Sequence, residues 1–135
     1  MKLIISLTLL LSATAFAGKE QREYMKTDIM PKIAQAQDAY KKACACALKI
    51  DVKADSFASN DDLINAKYIA ENMIENVAGY CTDAESKKAL CKMKTLEIVF
   101  GKEGPLFKFA SGKGTAITNG QSYVSLKMIT DVLDK

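Results

Sequence analysis

Apolar side chains recur along the first third of the chain at the spacing of one helix face. Met25, Ile29, Ile33, Ala36, Tyr40, Ala43 and Ala47 follow one another at intervals of three and four, which predicts a helix from Lys19 to Leu48. Pro31 lies inside that stripe. Because proline lacks a backbone donor and crowds the preceding turn, a kink or a fresh helix start is expected near Thr27-Asp28. Leu63, Ala66, Ile69 or Ala70, Met73 and Val77 make a second face, opened at Ser59 or Asn60 with Asp61 and Asp62 in the first turn and closed by Gly79. Thr82-Asp83-Ala84-Glu85 has the form of a capping box, and the face that follows it, Leu90, Met93, Leu96 and Phe100, predicts a third helix ending at Gly101. A terminal helix is expected from Gln121 or Ser122 to Leu133 on Tyr123, Leu126, Ile129 or Thr130, and Leu133. The pattern as a whole predicts an all-α fold of about four main helices.

Two stretches carry no helical period. Residues 51–60 are polar apart from Phe57, and residues 101–120 hold the turn signals Gly104-Pro105, Gly112, Gly114 and Asn119-Gly120. Within the second, Leu106-Phe107-Lys108-Phe109 alternates like a short extended segment, and Thr115 to Thr118 fits one arm of a hairpin. Connections of this length in a helical domain call for a reason.

The cysteines supply one. Cys44 and Cys46 point about 200° apart if both are helical, and Cys81 and Cys91 are about 15 Å apart on the same assumption, so neither pair bonds within itself. Each of Cys44 and Cys46 is expected to bond one of Cys81 and Cys91, as 44/81 with 46/91 or as 44/91 with 46/81. Helices running simply up and down would leave Cys81 a full helix length from Cys44. The first connection is therefore expected to carry the chain back along the first helix before the second begins.

The N-terminus sets the compartment. Met1-Lys2, the apolar run Leu3 to Leu11 and the ending Ala15-Phe16-Ala17 form a secretory signal peptide over residues 1–17, with the mature chain a single helical domain over 18–135. The apolar run is shorter than the about 20 residues of a spanning helix, so no membrane attachment is expected after cleavage. Four cysteines in a short exported chain fit a disulfide framework in an oxidising compartment, here the periplasm. The formal charge of +3, less the one at Lys2, is +2. With Arg22 the only arginine and lysines scattered, this is no nucleic-acid footprint. Lys87, Lys88, Lys92 and Lys94 form a basic stripe that reads as a solvated helix face.

Histidine is absent, which excludes a His-containing triad, a His zinc site and a c-type haem. The pairs Asp61/Asp62 and Glu71/Glu75 are explained by capping and ordinary helix spacing rather than by a two-carboxylate glycosidase. No cofactor or metal is expected, and no catalytic activity. A competing reading makes Cys44 and Cys46 a metal or thiol-redox pair; a third makes the chain a non-enzymatic envelope adaptor.

With its leader ending Ala15-Phe16-Ala17, the Cys44-Ala45-Cys46 pair with Cys81 and Cys91, and its small body, the chain resembles the periplasmic immunity proteins of type VI secretion systems, most nearly those that neutralise a lysozyme-like domain fused to a VgrG spike. The resemblance implies a homodimer that binds an incoming peptidoglycan hydrolase and blocks its cleft. It assigns no contact residue, so the choice is physical. A cleft that carries carboxylates and is shaped for a sugar chain is met by polar loop groups with aromatic anchors at the edge. The first loop offers Ser56, Phe57, Ser59 and Asn60; the second offers Lys102, Glu103, Phe107, Lys108, Ser111 and Lys113.

Overall fold

The computed structural model describes residues 18–120 and 122–135; the expected leader lies outside them. Residues 18–24 are helical and pass through a π-helical turn, Met25–Ile29, into α1, Met30–Cys44. Pro31 falls in the first turn of α1, and the wider turn before it accommodates the missing donor without ending the helix. Ala45 closes α1 in the left-handed region, φ 61°, with its N–H on the Lys41 carbonyl at 2.9 Å. Cys46 thus lies past the helix end. Cys44 bonds Cys81 and Cys46 bonds Cys91, which resolves the two pairings that the spacing left open.

The domain is not all-α. Four strands, β1 Lys49–Val52, β2 Thr95–Phe100, β3 Leu106–Ala110 and β4 Lys113–Thr118, form one sheet in the order β1-β2-β4-β3. β1 and β4 both run parallel to β2, and β3 pairs antiparallel with β4. The remaining helices are α2 Asn60–Tyr80, α3 Ala84–Leu90 and α4 Leu126–Leu133.

The largest departure from the sequence pattern falls between Leu90 and Phe100. Leu90, Met93, Leu96 and Phe100 fit a helix face, yet Leu96 and Ile98 also alternate with Thr95, Glu97 and Val99. The alternation prevails because this β-branched segment has a strand to pair with on each side, and its inward residues Leu96 and Ile98 are fully buried. Two further strands come from the second long connection, where Ser111 and Gly112, both at positive φ, form the two-residue turn that a hairpin of native twist requires. The fourth is the first connection itself: β1 carries the chain back along α1.

α3 starts one residue later than the capping box predicts. Its cap is Asp83 rather than Thr82, and the carboxylate accepts from both the N–H and the hydroxyl of Ser86 at 2.8 Å. The Ser86 N–H, and next its hydroxyl, hold the Asp83 carboxyl below its ordinary range. A lowered pKa gives stability that is full above the ordinary carboxylate value and is lost as pH falls through the lowered one. In thermal melts from neutral to acid pH, the gap between wild type and Asp83→Ala is therefore expected to be widest at neutral pH and to close on acidification. A constant gap would show that the charge on Asp83 does not matter.

The helices lie on one face of the sheet. Leu96, Ile98, Phe107 and Ala116 point into them and are buried with Ile33, Tyr40, Leu63, Met73, Leu126 and Ile129. The Tyr40 hydroxyl donates to the Leu90 carbonyl inside this layer, and burial pushes its pKa up. The other face carries Lys49, Asp51, Thr95, Glu97, Lys113, Thr115 and Lys108, and among the described residues no helix covers it. This layout gives the molecule two ends. At the staple end lie the disulfides, α3, the starts of β1, β2 and β4, and the Ser111-Gly112 turn. At the loop end lie residue 18 and residues 53–60, 101–105, 119, 120 and 122.

Candidate functional site

The ten loop residues singled out from the sequence do not form one surface. Ser56, Ser59, Asn60, Lys102 and Glu103 gather at the loop end, Lys108 sits on the open sheet face, and Ser111 and Lys113 lie at the staple end, a separation of roughly 20 Å along the six residues of β4. The two proposed aromatic anchors are not exposed. Phe57 is 4% and Phe107 6% accessible, and both belong to the core. Phe57 packs on Phe100 with ring centroids 5.9 Å apart, and Phe107 faces inward from β3. Phe57 is the large apolar member of a polar stretch and Phe107 an inward position of an alternating one, and each is drawn to the nearest place that removes its ring from water.

At the loop end the two long connections are tied side by side. The Ser56 hydroxyl donates to the Lys53 carbonyl at 2.7 Å and accepts the Phe100 N–H at 2.9 Å, so the turn after β1 is clasped to the end of β2 just before Lys102 and Glu103. From the other side the Gln21 amide donates to the carbonyls of Ala54, at 3.0 Å, and Phe57, at 3.1 Å. Ser59 caps α2, accepting from the Asp62 N–H at 3.2 Å, which fixes where Asn60 emerges. Asn65 is nearly buried and its amide spans Asp62 O, at 3.1 Å, and Asn119 O, at 2.8 Å. Asn119 in turn donates to the Gly104 carbonyl at 2.6 Å. Gln21, Asn65 and Asn119 therefore position both connections. Only Asn119-Gly120 left a trace in the sequence, as a turn; side-chain amides reaching distant carbonyls have no local signature.

Between the N-terminal helical residues, the turn at Ala54–Ser56 and the start of α2 runs an open groove of about 600 Å³, lined by Glu20, Gln21, Asp55, Ser59, Asn60 and Asp61 among others. Three of these are carboxylates, and the Arg22 guanidinium lies beside Gly18 at its edge. Nearby, burial raises the Tyr24 hydroxyl pKa, with Asp28, Tyr68 and Asp61 adding to the effect. On the open face Lys53 pairs with Asp51 at 2.9 Å and Glu97 at 3.9 Å, and the hydrogen bond to Asp51 is the main reason its pKa is raised. Lys113 shares Glu97 at 3.1 Å. Among the described residues no group of three or more Cys, Asp and Glu is placed to hold a metal ion, and none of the four cysteines is free. The metal or thiol-pair reading of Cys44 and Cys46 thus meets sulfurs already consumed in two disulfides.

Comparison with protein-family models, curated proteins and solved structures finds no match for this chain. The two disulfides fit an oxidising, extracytoplasmic compartment. No helix among the described residues is long and apolar enough to cross a membrane.

Proposed function

We propose that this chain is a periplasmic immunity protein that binds a type VI secretion peptidoglycan hydrolase of the muramidase class and covers its cleft, acting as a stoichiometric inhibitor rather than a catalyst. The observation that best supports this reading is the clasp at Ser56. It sets two long connections side by side on a frame stapled twice, so Asn60, Lys102 and Glu103 are presented with little ordering left to do on docking. The chain has no histidine and offers polar groups, which suits occupation of a polar cleft better than chemistry within it.

The test is direct. Purified mature protein is mixed with a muramidase effector domain and cell-wall hydrolysis is followed by loss of turbidity. Activity is expected to fall to the background rate at equimolar inhibitor, and undiminished hydrolysis at molar excess refutes the proposal. The double variant Asn60→Arg with Glu103→Arg, folded by circular dichroism, is expected to require at least about tenfold more protein for half inhibition, the loss of one or two interface hot spots. Unchanged inhibition by this variant would move the contact surface away from the loop end.

A further inference from the structure

The lysines that look scattered along the sequence are gathered by the fold. α1 brings Lys41 and Lys42 to the staple end, and α3 brings Lys87 and Lys88. There the helix dipole is reason enough for cations, and Lys92, whose ammonium donates to the Leu133 carbonyl at 3.0 Å, caps α4 in the same way. Lys49, Lys94 and Lys113 have no such reason. They stand at the starts of β1, β2 and β4, three adjacent strands spanning about 10 Å, with the Lys49 N–H on the Lys94 carbonyl at 3.1 Å and Lys113 in register with Thr95. All three are exposed. Among the described residues, Lys113 alone of the three has an ion pair, with Glu97.

Lys49 and Lys113 flank Thr95 on one face of the sheet, and among the described residues neither Lys49 nor Lys94 has an ion pair, so pairing within the fold does not account for them. At this end Asp38 pairs with Lys42, Glu97 pairs with Lys113 and Asp83 is engaged by Ser86, leaving Glu85 and Asp134 among the described residues. The loop end is nearly balanced, with Lys19, Arg22, Lys53 and Lys102 beside Glu20, Asp55, Asp61, Asp62 and Glu103. The excess of cations therefore lies at the stapled end.

We infer that the staple end is a docking surface for an anionic phospholipid membrane. The lysines come from both layers of the fold, from α1 and α3 and from the strand starts, rather than from one shared groove. The large exposed apolar side chains among the described residues, Met30, Tyr68 and Tyr123, all lie elsewhere, so this end lacks the aromatic anchor of a protein interface. Lysine, a hydrated point charge, attracts an anionic surface without the forked geometry that arginine brings to a specific carboxylate. Docking through this end leaves the loop end facing away from the lipid, free for a protein partner. The inference is independent of what that partner is.

The test uses the full mature chain with both disulfides formed. It is co-sedimented with large vesicles of phosphatidylglycerol and phosphatidylcholine, and with vesicles of phosphatidylcholine alone. Binding is expected only to the anionic vesicles and is expected to be released by high salt. The triple variant Lys49→Gln, Lys94→Gln, Lys113→Gln is expected to bind about a hundredfold more weakly, given the contribution of each lysine near a charged surface. A control variant, Lys19→Gln with Lys102→Gln, lowers the charge at the loop end and is expected to bind as wild type. Absence of binding to anionic vesicles at low salt, or equal weakening by the two variants, overturns the inference. Binding to poly-L-glutamate in place of vesicles overturns it in favour of an acidic protein partner.

Discussion

Replacing all four cysteines by alanine is expected to leave the chain unfolded at room temperature, while loss of either bridge alone leaves it folded and weakened. The reason is the way the bridges overlap. Cys44–Cys81 spans 37 residues and Cys46–Cys91 spans 45, and a loop of that size closed in the unfolded chain is worth about 4 kcal/mol. Once one bridge is present the other closes only the short circuit through residues 44–46 and 81–91, about 12 residues, worth about 3 kcal/mol. Single removals should each cost about 3 kcal/mol through the unfolded state, and removal of both about 7 kcal/mol, comparable with the whole stability of a small domain. The two single losses are not expected to be equal. Cys44 and Cys81 are 2% and 6% accessible, so their replacement also leaves a cavity, whereas Cys46 and Cys91 are half-buried. Urea unfolding of the two double-alanine variants checks this: the Cys44/Cys81 variant is expected to have the lower midpoint, and both to have steeper slopes because the unfolded chain exposes more surface. Equal midpoints would show that burial of the first bridge adds nothing.

That two bridges join the end of the first helix to the 81–91 segment could be read from the chain, because it follows from rotation per residue and reach. So could α2, whose cap at Ser59 has an acidic first turn, and the return of the chain along α1, which the bridges require. The sheet was less legible. Residues 95–100 satisfy a helical and an alternating pattern at once, and what decides between them is the presence of β1 and β4 on either side, a fact about distant segments. β1 has only four residues and its register is fixed by its partner, not by its own composition. Among the candidate site residues, the exposure of the polar members was legible and the burial of the aromatic ones was not. Phe57 and Phe107 sit in loop-like sequence, and only the surrounding fold shows a core within reach of each ring.

Gly114→Ala is expected to destabilise the domain by about 2 to 3 kcal/mol, a large effect for one methyl group on a strand. A Cβ at this position would lie 2.5 Å from Met93 Sδ and 2.7 and 2.8 Å from two ring atoms of Phe107. The thioether can shift at small cost, but the ring is held between β3 and the helical layer. Gly114 also pairs with Leu96 on one side and Phe109 on the other, so β4 cannot back away without breaking both ladders. The clash therefore has to be relieved by Met93 or by distortion. Truncating Met93 to alanine, which in the wild type leaves a cavity at a site with 0% accessibility, is expected to cost less in the Gly114→Ala background, with a coupling of about 1 kcal/mol or more between the two positions in urea unfolding. Additive effects would mean that the two side chains do not compete for the same space. The outcome also bears on the candidate site. If Phe107 projected into solvent as an anchor, a methyl group on Gly114 would meet a mobile ring and be nearly silent. A loss of the expected size requires Phe107 to be part of the core, which leaves Lys108, on the opposite face of β3, as the charged side chain that this strand presents to solvent.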